Sequence, residues 1–173
     1  MAERSMWDRM KGAAMLDVAT YEEVEHDENL TVQAATVVLI AALARGIGGF
    51  NDGETGIIVG VIAALFSWLV WAGITYLIGD KLLKGTATWG ELLRTLGYAQ
   101  APAVLLVLGI VPLPLFGGLL AAVVGIWLLV TGIVAIRQAL DFDTGKAILT
   151  AFLGWLVAVA IPAMIIGGAL INW

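Results

Sequence analysis

Few side chains in this sequence carry groups that do chemistry, and their placement argues against catalysis. Ser67 lies in the middle of an apolar tract, but no histidine or lysine shares the apolar tracts with it to activate its hydroxyl. The single histidine, His26, precedes the first tract, and there is no cysteine. Disulfides and thiolate metal sites are therefore excluded, and most imidazole-based metal sites with them. No HExxH motif occurs, and no aspartate or glutamate falls inside an expected span. No catalytic, cofactor or metal site is expected, and the chain is read as a non-enzyme. The run Glu22, Glu23, Glu25, Asp27 and Glu28 could offer oxygens to a divalent cation, but it reads more simply as a solvated charge run. Arg45 is the one ionisable residue well inside an expected span. It should snorkel toward the outer interface and meet Asp52 or Glu54; the competing reading is a solute pathway.

The elements that must position these groups are hydrophobic helices. Of 173 residues, 61% are hydrophobic and 13% charged, with a mean hydropathy of +0.96. A soluble domain carries about a quarter charged residues. No charge occurs from Thr55 to Gly79, from Thr95 to Ile136, or from Ala147 to Trp173. About 20 apolar residues cross a bilayer as a helix. The pattern predicts an all-α integral membrane protein with a bundle of five transmembrane helices over residues 31–50, 56–79, 96–111, 115–137 and 146–170. The long uncharged tract is split in two because Pro112 and Pro114 would break one helix. Pro162 should kink the fifth helix.

Residues 1–30 form a cytoplasmic leader. Met6, Trp7, Met10, Ala13, Ala14 and Val18 share one side of a helical wheel, opposite Arg4, Asp8 and Lys11. This leader is either an amphipathic helix at the membrane surface or a segment that packs on the bundle. Its acidic composition does not suit a cleaved signal peptide. Asn29 or Thr31 should cap the first span. Eight of the nine basic residues fall on one side of the five-span arrangement, all but Arg45. The positive-inside rule then places the N-terminus in the cytoplasm and the C-terminus outside. Trp7, Trp89 and Trp173 fall at expected interfaces, whereas Trp68, Trp71, Trp127 and Trp155 lie deeper.

The 21 glycines favour close helix packing. Gly56 and Gly60 form a GxxxG; Gly117, Ala121 and Gly125 repeat the spacing, as do Gly154 and Ala158. Such faces serve either packing within the bundle or association between copies. A net charge of −5 offers no attraction for nucleic acid.

At the third span the sequence reads Gly97-Tyr98-Ala99-Gln100-Ala101-Pro102. With the acidic leader Tyr21-Glu22-Glu23-Val24-Glu25 and the turn Asp141–Ala147, this GYxxxP signature resembles the YIP-domain family. Those are five-pass membrane proteins named for interaction with Ypt/Rab GTPases. The chain lacks the DLYGP motif of eukaryotic members and is most similar to prokaryotic ones. The resemblance implies five spans with the N-terminus inside, and Gly97, Tyr98 and Pro102 as a structural or partner-binding site. Taken alone, Gly97 permits close helix contact, Tyr98 should anchor at the cytoplasmic interface with a wet hydroxyl, and Pro102 suits the first turns of a helix. The expected function is a multi-pass membrane scaffold, in a prokaryotic plasma membrane, that binds membrane lipids or protein partners. A small transporter or channel component, working as a homo-oligomer, or an accessory subunit of a larger membrane complex, is the alternative. No dedicated anionic-lipid site is marked by a basic cluster.

Overall fold

The computed structural model describes residues 4–49 and 53–171, and the side chains of residues 4–49 and 56–158. Among them there is no strand. Seven α-helices follow one another: α1 Met6–Ala14, α2 Val18–His26, α3 Thr31–Gly49, α4 Gly53–Tyr76, α5 Trp89–Tyr98, α6 Phe116–Ala139 and α7 Thr144–Ile171. A 3₁₀ turn, Glu28–Leu30, precedes α3; a π-helical stretch, Leu77–Leu82, extends α4; and a 3₁₀ segment, Ala101–Ile110, follows α5. Four stretches are long and apolar enough to cross a membrane: Glu28–Gly49, Gly56–Leu82, Trp89–Ile110 and Phe116–Ala139. Thr144–Ala158 is a shorter apolar helix within α7.

The third span departs from the expected single helix over 96–111. It begins earlier, at Trp89, because Thr88 and Glu91 form a capping box that satisfies the first free amides. It then changes character after Tyr98. The Pro102 ring would strike the Tyr98 carbonyl in an α-helix and has no N–H to give it. The chain turns instead and continues as ten residues of 3₁₀ helix. Such a run is long for this geometry. It rises about 20 Å where an α-helix of equal length rises about 15 Å. That stretch lets the third span keep pace with the straight α3 beside it. At its far end Gly48 and Gly109 meet backbone to backbone, with no room for a Cβ on either.

The leader packs onto the bundle. Met10 and Ala13 of α1 and Tyr21 and Val24 of α2 are buried, while Trp7 and Val18, expected on the same stripe, are exposed. Ser5 and Asp8 form a capping box at the start of α1. Its end turns through Leu16 in a left-handed conformation, with Asp17 N–H bonded to Gly12 O. Tyr21 Oη donates to Ala13 O at 3.0 Å, and Trp127 Nε1 donates to Ala14 O at 2.7 Å, tying the hairpin to α6. Asn29 lies within the 3₁₀ turn that leads into α3, and that turn is capped by Asp27, whose Oδ1 accepts from the Asn29 amide at 3.0 Å.

Candidate functional site

The GYxxxP residues sit at the crossing of α3, α5 and α6. Gly97 lies so close to α3 that a Cβ there would stand 2.8 Å from Ala34 Cβ and 3.1 Å from Ala34 O. Tyr98 is fully buried, and its hydroxyl donates to Gln33 Oε1 at 2.8 Å. The expected wet hydroxyl is thus replaced by an internal bond, because the leader covers this end of the bundle. Ala99 O accepts from Thr131 Oγ1 of α6 at 2.9 Å. Gln100 Oε1 accepts from Arg45 Nη2 at 2.7 Å. Pro102 is buried in the first turn of the 3₁₀ segment. Four consecutive residues, Gly97 to Gln100, therefore each engage a different partner.

Arg45 has a partner that the snorkelling reading does not name, Gln100 of the third span. Asp52 and the side chain of Glu54 lie outside the described residues. The guanidinium faces a cavity of about 570 Å³ between α3, α4, α5 and α7, with Ser67, Trp68, Trp71, Ile74 and Val157 among its walls. Trp68 is fixed there by its indole N–H, which donates to Leu93 O at 3.0 Å.

A polar cluster forms under the leader. Arg9, 4% exposed, donates from Nε to Glu23 Oε1 at 2.7 Å and from Nη1 to Gln33 Oε1 at 3.3 Å. Arg4 completes it, reaching Glu23 Oε2 at 3.1 Å and Thr20 Oγ1 at 2.9 Å. The Thr20 hydroxyl bonded to Asp17 holds that carboxyl below its ordinary range. Arg94 of α5, also 4% exposed, donates to the carbonyls of Val24 and Glu25 at the end of α2. A guanidinium is well matched to the free carbonyls of a helix C-terminus. Sequence reading missed Arg9, Gln33, Gln100 and Arg94; a glutamine within an otherwise apolar tract was the available signal for Gln33 and Gln100.

Three segments far apart in sequence meet at the same end of the molecule. Thr86 Oγ1 donates to Asp141 Oδ2 at 2.7 Å, joining the loop before α5 to the turn before α7. Leu140 packs over Gly79 and Gly85. Glu25 lies where α2 reaches this end, and its carboxyl is pushed up to about 7 by burial, then by the neighbouring charge of Glu22. Its Oε2 has no hydrogen-bond partner among the described residues. Glu22, Glu25 and His26 could offer three ligand atoms within 4.8 Å of one another; only Glu25 of the three is buried. Exposed carboxylates of Glu28, Asp141 and Asp143 make this end acidic.

Of the small-residue faces, Gly154 packs against Trp71, whereas Gly60, Gly117 and Gly125 face open space. Trp7 and Trp89 are exposed, and Trp173 lies outside the described residues.

Residues 18–172 match the family model described as Yip1 domain. No curated protein and no solved structure matches the chain.

Proposed function

The chain belongs to the Yip1 domain family, and from that premise we propose that it is a non-enzymatic membrane scaffold recruiting a protein partner to its acidic end. The observation that carries this reading is the assembly of the leader, the loop before α5 and the Asp141 turn into one fixed surface, through Arg94 on the α2 carbonyls and Thr86 on Asp141. A scaffold needs a surface of fixed shape, and bonds between distant segments provide one. On this reading α7 is the fifth crossing, joining the four stretches long and apolar enough to cross. The basic-residue distribution supports a cytoplasmic position for the acidic end, and the similarity to prokaryotic members supports a prokaryotic plasma membrane.

The test is recovery from native membranes in nanodiscs, with protein and lipid mass spectrometry. A stoichiometric partner, lost when Glu22, Glu28 and Asp143 are changed together to lysine, supports the scaffold. Recovery of self-copies and bulk lipid alone overturns it. A small transporter component is the second reading, favoured by Arg45 in its cavity. Solute flux in proteoliposomes separates the two. The open faces at Gly60, Gly117 and Gly125 support contact with further copies or with a larger complex.

A further inference from the structure

Among the described residues, Arg45 is a cation set in the apolar part of the bundle with no carboxylate bonded to it. The guanidinium is charged at every accessible pH and carries five N–H donors. Among the described residues it has a single hydrogen-bond partner, the neutral carbonyl oxygen of Gln100. Arg9 is different, with a carboxylate at 2.7 Å, and Arg94 is different, with helix carbonyls. A charge partly withdrawn from water carries a desolvation cost, and an anion delivered to it recovers part of that cost. The cavity beside it, about 570 Å³, falls in the range of small-molecule sites. Apart from Ser67, its walls away from Arg45 and Gln100 are apolar or aromatic, with Trp71, Ile74, Val157 and Phe66 among them. Phe66 and Val70 are 67% and 41% exposed while lining it, so the cavity opens sideways past α4. Arg45 itself stands about one turn from the end of α3 at Gly49.

From this juxtaposition we propose that the cavity between α3, α4 and α7 binds an anionic amphiphile, its carboxylate or phosphate on Arg45 and one acyl chain along Trp71, Ile74 and Val157. Arg45 and Gln100 fix the head: the amide holds the guanidinium with one N–H and leaves the others for the anion. The lateral opening admits the chain from the bilayer. The site is separate from the acidic face and stands whether or not that face recruits a partner. A free fatty acid and an anionic phospholipid carry the same chemistry, so the ligand is defined by an anionic head joined to an acyl chain.

The experiment uses the full chain in dodecylmaltoside and reads quenching of tryptophan fluorescence by brominated chains. Three probes are compared: dibromostearate, dibrominated phosphatidylglycerol and dibrominated phosphatidylcholine. Saturable quenching by one or both anionic probes, at least about tenfold tighter than by the zwitterion, is expected. A response to dibromostearate alone identifies a free acid as the source, and a response to phosphatidylglycerol identifies a membrane lipid. Arg45→Gln should erase the preference, Arg45→Lys should retain part of it, and Ile74→Trp should block saturation by filling the chain cavity. Equal quenching by all three probes in the unaltered protein overturns the proposal without recourse to any variant. So does an anion preference that survives Arg45→Gln in a monodisperse protein.

Discussion

The hydroxyl of Tyr98 and the guanidinium of Arg9 converge on one atom, Oε1 of Gln33, at 2.8 and 3.3 Å. A tyrosine of the third span and an arginine of the leader are thereby joined through a glutamine of α3. Tyr98→Phe keeps the ring and deletes the bond, and should cost about 1–2 kcal/mol. Tyr98→Ala also opens a cavity and should cost about 3–5 kcal/mol. Thermal unfolding in detergent checks both. Equal, negligible shifts for the two variants would show that the crossing does not depend on Tyr98.

Gly97 and Gly125 make a controlled pair. A methyl at Gly97 would press on Ala34, whereas one at Gly125 meets nothing within 4 Å. Gly97→Ala should lower stability by about 1–3 kcal/mol through separation of α3 and α5. Gly125→Ala should be neutral or slightly stabilising in a monomeric preparation, since alanine is the better helix former. If Gly125→Ala instead breaks up a larger species on size-exclusion chromatography, the open face is a contact between copies.

Glu25 predicts a pH dependence with a definite sign. Its carboxyl titrates near 4.5 when free and near 7 in the fold, raised by burial and by Glu22, with Glu91 and Asp141 adding and His26 opposing. The folded protein therefore holds this proton more tightly than the unfolded chain does. Its contribution to stability is complete below about pH 4.5 and is lost as pH rises through 7. Glu25→Gln should remove that loss, gaining about 2 kcal/mol over the native protein at pH 8 and little at pH 4. Unfolding scans of both proteins from pH 4 to 8 decide the matter; parallel curves would place the titration elsewhere.

Arg94 holds the end of α2 by its carbonyls, so its loss should free the leader before it harms the bundle. Arg94→Ala should raise hydrogen exchange across residues 5–26 by about tenfold or more, with smaller changes in α6. Unchanged leader protection would show that Tyr21 and Trp127 suffice to hold it.

Much of the architecture was legible because lipid imposes a simple rule on composition. The charge-free tracts located the helices, and Pro112 and Pro114 located the tight connection between the third and fourth spans. Gly97 in GYxxxP signalled a close helix contact, and it lies against Ala34. What could not be read was which way individual side chains turn. Arg45 on a helical wheel reaches either the interface or the interior, and only the position of Gln100 on another element decides. The leader stripe was equally ambiguous, since apolar residues suit a membrane surface and a protein surface alike. Thr88 and Glu91 spell a capping box and marked the true start of the third span, but Trp89 to Arg94 is too polar to read as transmembrane by hydropathy. The 3₁₀ run has no compositional signature beyond Pro102.

That run has a mechanical meaning. Ala101–Ile110 is bracketed by two close contacts, Gly97 with Ala34 before it and Gly109 with Gly48 near its end. Relaxing it to α geometry would shorten it by about 5 Å, nearly one turn, drawing the Pro112–Pro114 hairpin toward the bilayer centre and pulling Gly109 off Gly48. The two glycine contacts thus set the working length of the third span, and a bulkier residue at either contact changes how far that span reaches across the membrane.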